Sequence, residues 1–266
     1  MAFEKINGVN LFYNITGNGN EVVVFLNGVG MTTQSWDPML AYFQEYKCLV
    51  TDFRGQLLSE IGDEEYTMEM HAHDTAALLK KLGIEKAHFI GTSYGSEISM
   101  LMAIHYPEMV QTISVLNGVS ELDGVLYYAV KTWQEAARVH NGEVFVYSLL
   151  PWSYSPEFIA NNKPFIEERI NLVTHVPVKF YDGFVKLCDA FLKMNITAEL
   201  KKIKCPAMII AAELDNLKRP LFSQIIHENI AGSEYRVVPK SGHAMVYEKP
   251  KEASELCLSM IKKNKI

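Results

Sequence analysis

Residues 87–105 read AHFIGTSYGSEISMLMAIH, and this stretch decides the fold. Residues 87–90 form an apolar run of strand length, and the residues after Gly95 show a helical pattern that continues to His105. Between them, Gly91-Thr92-Ser93-Tyr94-Gly95 is a G-x-S-x-G in the strand-turn-helix setting that gives the pattern its meaning. A serine on so tight a turn needs neighbours without bulky side chains, so that strand and helix approach closely and the hydroxyl projects from the sheet. The following helix turns its first N–H groups toward the space beside that hydroxyl, where negative charge would be stabilised. A glycine-flanked loop serine is the plainer alternative, and the flanking strand and helix weigh against it.

Apolar runs of strand length recur outward from this point, at residues 22–26, 48–50, 113–116, 207–211 and 235–238. Runs that are apolar throughout suit strands covered by helices on both faces. Helical patterns separate them. Asp37-Pro38 reads as an N-cap followed by proline at the first helical position, and residues 67–82 carry apolar side chains at helical spacing, closed by Gly83. Ahead of these, residues 3–26 alternate around Asn7-Gly8, a dipeptide suited to a tight hairpin. The order implies an α/β fold with a doubly wound, mostly parallel sheet.

The alternation stops after Leu116. Residues 126–194 hold no clear strand, but amphipathic stretches appear at 132–139, 156–160, 164–173 and 178–192. We therefore expect a core formed by residues 1–124 and 195–266, interrupted by a helical cap over 125–194. The cap is rich in aromatic residues, including Tyr127, Trp133 and Trp152. Such residues suit a lid over a pocket, although ordinary helix packing would use them too.

A serine hydroxyl is a weak nucleophile at neutral pH, so it needs a base to take its proton and an acid to hold that base in the right tautomer. On this strand order they follow the serine as acid, then histidine. His243 follows Ser241-Gly242 in a loop after a late strand, whereas the seven other histidines fall in helical, strand or insertion segments. Asp215 ends the run CPAMIIAAELD. Glu213, two residues earlier, is a rival, and a turn-forming role for Asp215 stays open. The end of the 113–116 strand, another place for an acid, carries Asn117. An oxyanion hole is expected from the backbone N–H groups of Val29 and Tyr94, because Asn27-Gly28-Val29-Gly30 follows a strand end; a simple glycine turn is the alternative.

With these residues in place, the chain resembles the α/β-hydrolase superfamily over nearly its whole length. LNGVG stands at the position of an oxyanion loop, Asp52-Phe53-Arg54-Gly55 resembles a D-x-R-G segment, and GTSYG, AELD and SGH with Glu248 and Pro250 follow in order. Within that superfamily it is most similar to 3-oxoadipate enol-lactonase and related small carboxylesterases. It departs from the usual pattern at Asn27, at Gln56-Leu57 and at Ser96. The resemblance implies a serine esterase or lactonase acting through an acyl-enzyme on a small, partly apolar ester or lactone, with Ser93, Asp215 and His243 as its catalytic residues and no metal or organic cofactor. Asn27, Met31, Tyr127, Trp133 and Trp152 are expected to contact substrate. Carbon–carbon bond hydrolysis of a diketone, or a slow-turnover receptor that keeps the same triad, are the alternatives.

The net charge of −6, with basic residues only in short clusters, argues against nucleic acid as a partner. The start MAFEKINGVN lacks a signal-peptide pattern and no run of eighteen apolar residues occurs, so a cytoplasmic protein without membrane association is expected, as a monomer or homodimer. Cys48, Cys188, Cys205 and Cys257 lack the paired spacing of a zinc or redox site and read as free buried thiols.

Overall fold

The computed structural model describes residues 2–265. The chain opens with a hairpin of β1 (Ala2–Ile6) and β2 (Val9–Thr16). At its turn Asn7 and Gly8 have φ of 46° and 91°, the left-handed region that Asn-Gly tolerates. Then come β3 (Val22–Leu26), a short α1 (Asp37–Leu40), β4 (Lys47–Thr51), α2 (Met68–Lys81), β5 (Ala87–Thr92), α3 (Tyr94–His105) and β6 (Val110–Leu116).

Five helices follow before the sheet resumes: α4 (Gly124–Arg138), α5 (Gly142–Ser153), α6 (Pro156–Asn161), α7 (Lys163–Thr174) and α8 (Val178–Leu192). The fold closes with β7 (Ala207–Ala212), α9 (Pro220–Asn229), β8 (Glu234–Val238), α10 (Met245–Glu248) and α11 (Pro250–Lys263). The strands form one sheet in the order β1-β2-β4-β3-β5-β6-β7-β8. The pairings β1-β2 and β2-β4 are antiparallel; every pairing from β4 to β8 is parallel.

Two apolar layers sandwich the sheet. Val24 and Leu26 of β3 pack with Leu79 of α2, Leu101 of α3 and Ile226 of α9, while the alternate residues Val23 and Phe25 pack with Trp36, Met39 and Phe43 and with Cys257 and Ile261 of α11. That two-sided cover is why β3 is apolar at all five positions. Because β4 and β5 flank β3 on opposite sides, the chain reverses its winding direction there, and the carboxyl ends of β3 and β5 open a crevice.

Local expectations and structure part in a few places. Asp37 does not cap a helix: a 3₁₀ turn at Thr33–Trp36 runs straight into it, and Ser35 Oγ receives the Thr32 N–H at 3.1 Å as that turn begins. Helix α5 carries no amphipathic stripe in the sequence because Val144 to Trp152 is apolar on most sides and includes Pro151; the Asn141 side chain, accepting from Val144 N at 3.0 Å, starts it. Among the described residues, no helix is long and apolar enough to cross a membrane.

Candidate active site

The ends of β3, β5 and β7 and the loop after β8 meet at one rim. Ser93 sits between β5 and α3 with φ 52° and ψ −117°, a backbone conformation that side-chain-bearing residues rarely adopt. The surroundings enforce it. Ser93 N donates to Leu116 O on β6 at 2.9 Å, and a Cβ on Gly95 would stand 1.9 Å from Leu26 O of β3. Ser96, one of the departures from the family pattern, donates its hydroxyl to the carbonyls of Gly91 and Leu116, each at 2.8 Å, and so ties the first turn of α3 to the sheet.

His243 Nε2 lies 2.9 Å from Ser93 Oγ, and His243 Nδ1 lies 2.6 Å from Asp215 Oδ2. A carboxylate only accepts, so Nδ1 carries the proton and Nε2 is left with its lone pair toward the serine. The other Asp215 oxygen receives the N–H groups of Leu217 and Lys218 at 2.9 and 2.8 Å, which fixes the carboxylate on a buried turn. The rival Glu213 is exposed and accepts Lys240 N at 2.8 Å, so it braces the histidine loop from outside. Asn117 holds that loop from within. Its side chain donates to His243 O at 2.7 Å and accepts Ala212 N at 2.9 Å, joining the ends of β6 and β7 to the loop. Glu248 accepts Gly242 N at 3.1 Å and Ser155 N at 2.9 Å, which links the same loop to the inserted helices.

A pocket with about 290 Å³ of free space, part of it open to solvent, lies beside Ser93. Val29 and Tyr94 line it next to the serine, α4 contributes Leu126, Val130 and Trp133, α8 contributes Cys188 and Phe191, and the loop after β7 contributes Leu217 and Lys218. Tyr94 is the first residue of α3, so its backbone N–H has no acceptor within the helix. The Val29 loop is held from behind, where Gln56 Nε2 donates to the carbonyls of Gly28 at 2.9 Å and Val29 at 3.4 Å.

Of the five residues expected to contact substrate, only Trp133 lines this cavity. Asn27 is fully buried behind it: its amide donates to Asp52 Oδ1 and Gln56 Oε1, each at 3.0 Å, and its oxygen accepts Trp36 Nε1 at 2.8 Å. Both N–H donors and the oxygen are engaged in holding the loop. Burial pushes the Asp52 carboxyl up to about 6 despite hydrogen bonds from Thr33 N, Leu58 N and Asn27 that favour its charged form. Met31 sits over the loop, its sulfur 3.2 Å from Gly28 N. Tyr127 is exposed and packs edge-on against Tyr128, since it follows Leu126 by one residue and so faces about 100° away from the cavity stripe. Trp152, on α5, packs against the side of the core cluster instead.

Two charged residues escape a reading of the sequence. Lys218 and Glu97 are buried and bonded at 2.8 Å, and the second Glu97 oxygen accepts Val119 N at 2.8 Å. Desolvation pushes the Glu97 carboxyl up and the Lys218 ammonium down, and their mutual attraction opposes both shifts. Nothing in the local pattern marks either, and their pairing spans 121 positions. Leu126 and Val130 could have been found beside Trp133 as a helical i, i+4, i+7 stripe. Among the described residues no cluster of three His, Cys, Asp or Glu side chains could hold a metal ion.

The family described as alpha/beta hydrolase fold matches residues 21–250. Among curated proteins, one from Azorhizobium caulinodans named as a carbamate hydrolase, RutD, is 27% identical over 262 residues, covering 97% of each chain. The 3-oxoadipate enol-lactonase 2 of Acinetobacter baylyi is 24% identical over 246 residues, covering 91% of this chain and 88% of that one. Among solved structures, MGS-M2, an α/β-hydrolase enzyme from a Medee basin deep-sea metagenome library, superposes with a TM-score of 0.93 at 28% identity, covering 100% of this chain and 98% of that one. The strand order, the strained turn at Ser93 and a family match that spans most of the sequence agree, and the chain belongs to the α/β-hydrolase family.

Proposed function

We propose that the protein is a serine hydrolase that cleaves a small, partly apolar carboxylic ester or lactone through an acyl-enzyme. The observation that carries this reading is the unbroken relay from Asp215 Oδ2 to His243 Nδ1 at 2.6 Å and from His243 Nε2 to Ser93 Oγ at 2.9 Å, beside a mostly apolar cavity. The relatives' names fit the same chemistry, since an enol-lactone and a carbamate both present a carbonyl bonded to a heteroatom leaving group.

In this mechanism Ser93 Oγ attacks the carbonyl carbon as His243 Nε2 takes its proton, and the carbonyl electrons move onto oxygen. Asp215 stabilises the imidazolium without itself being protonated. The backbone N–H groups of Val29 and Tyr94 donate to the oxyanion. Collapse expels the alkoxide, which receives the proton from His243; water then gives its proton to His243 and its oxygen to the acyl carbon, and Ser93 leaves as the restored alcohol. For a lactone the leaving group stays attached, and one hydroxy acid is released.

The test is Ser93→Ala, assayed with a fluorophosphonate probe and with p-nitrophenyl esters beside several lactones. Labelling should vanish, and turnover should fall by about three orders of magnitude or more, with the thermal midpoint retained. Labelling that persists in the variant would point to a different nucleophile and end the proposal.

A further inference from the structure

Lys218 is the one basic side chain lining an otherwise apolar cavity among the described residues, and it is 3% exposed. Its ammonium has three N–H donors. Glu97 Oε2 accepts one at 2.8 Å, the Phe191 ring lies 4.6 Å away as a cation–π partner, and no other hydrogen-bond acceptor of Nζ is present among the described residues. A donor so deeply desolvated is expensive to leave unpaired. We infer that Lys218 hydrogen-bonds an uncharged oxygen of the substrate, so that the part of the substrate entering the cavity carries an ether, ketone or hydroxyl oxygen rather than hydrocarbon alone or a carboxylate.

The charges choose between a neutral and an anionic acceptor. Glu97 already balances Lys218, and Asp215 adds a further negative charge on the same turn, its Oδ1 bonded to Lys218 N at 2.8 Å. With His243 neutral before reaction, these groups sum to minus one, and a carboxylate brought among them would face net repulsion at low dielectric. A neutral oxygen meets no such barrier and satisfies the free N–H. Placing Lys218 on the loop that also holds the acid gives a means of ranking substrates next to the reacting carbonyl.

The inference rests on the reading of this cavity as the substrate site of a serine hydrolase, and the experiment separates the two. Hydrolysis is compared for p-nitrophenyl hexanoate and for its three analogues with oxygen replacing CH₂ at position 3, 4 or 5, and for hexyl acetate with the same replacements in the alcohol. The carboxylate-ended adipate half-ester completes the set. In a wholly apolar cavity the oxygen would lower kcat/KM, because it loses its water. Here at least one oxygen position should raise it about tenfold over the carbon parent, and the half-ester should be the poorest. In Lys218→Met/Glu97→Gln, which removes both buried charges together, the ratio should fall below one; because it is a ratio within one variant, a general loss of activity cancels. No gain at any oxygen position, a preference for the half-ester, or a gain that survives in the double variant would each overturn the inference. Should the wild type cleave no ester, the hydrolase reading falls, and calorimetric binding of hexanamide against its oxa analogues decides the Lys218 contact on its own.

Discussion

The rim that carries Ser93, Asp215 and His243 and the wall that α4 and α8 raise beside it share a boundary but are held by different forces. The rim is fixed by hydrogen bonds and backbone strain. Ser93 is strained on the turn between β5 and α3, Asp215 is gripped by two N–H groups, and the His243 loop is tied by the Asn117 and Glu248 side chains and by Leu214 N donating to Ser241 O at 2.8 Å. The wall is closed mainly by apolar contact, with Leu126, Val130, Trp133 and Phe191 part of one apolar cluster, and its helices are joined by few hydrogen bonds, from Gln134 to Val185 O and Asp189 and from Trp133 to Ser148 O. Hydrogen bonds specify geometry to a fraction of an ångström, whereas apolar packing specifies volume. Under the proposed mechanism, the rim therefore sets whether reaction occurs and the wall sets on what.

The strongest way to break that division is Asp215→Asn. Asn can keep accepting from Leu217 N and Lys218 N through Oδ1, so the loop should hold. Its NH₂ group would then face His243 Nδ1, forcing the proton onto Nε2, the nitrogen that must accept from Ser93. A loss of about 10⁴ in kcat is expected, with an unchanged ranking of esters by chain length. If the ranking shifts together with the rate, rim and wall are not separable.

Behind the rim, a second prediction sharpens what holds it. Asp52 belongs to the buried network of Asn27, Gln56 and Trp36 that supports the Val29 loop. Its carboxyl is raised from 3.8 to about 6 in the fold, so between those values the folded protein binds more protons than the unfolded chain and stability falls as pH rises. A shift of that size corresponds to about 3 kcal/mol lost between about pH 4 and pH 6. Asp52→Asn has no proton to exchange, so the wild-type stability minus that of the variant, from urea unfolding, should fall by that amount as pH rises over this interval, other groups cancelling. Parallel profiles would show that water reaches Asp52 and that the network is less dry than its burial indicates.

The same contrast explains what the sequence disclosed. Ser93, Asp215 and His243 were legible because each follows a strand, the buried β5 and β7 and the partly exposed β8, where apolar runs, glycines and chain order leave a one-dimensional trace. Most strands were legible within one or two residues for the same reason, while β6 begins three residues before the apolar run at 113–116. The wall was not. Tyr127 and Leu126 are adjacent in sequence, and choosing between them requires the rotation of α4, which is set by packing against α8 and the core. Asn27 was misjudged from its position at the loop: its partners Asp52 and Gln56 lie 25 and 29 residues away, and only their convergence shows that it faces inward. Lys218 and Glu97 were invisible for a stronger reason, because a buried ion pair has no periodicity of its own.

Val130→Phe sharpens the comparison from the other side, with the smallest effect of the three. Val130 is 2% exposed and lies one turn from both Leu126 and Trp133 on the face of α4 that bounds the cavity. A larger ring there takes space from the narrow inner part of that pocket, while the relay between Ser93 and His243 contacts no part of α4 in its hydrogen bonding. Small esters need little of that space and long ones need most of it. The variant should lower kcat/KM for p-nitrophenyl hexanoate about tenfold, through KM more than kcat, and for the acetate by less than about threefold. Overpacking is expected to lower stability by about 1–3 kcal/mol, so thermal midpoints are measured alongside. An equal fall on both esters would mean that the helix wall positions the reacting groups as well as the chain, and the division between rim and wall would have to be abandoned.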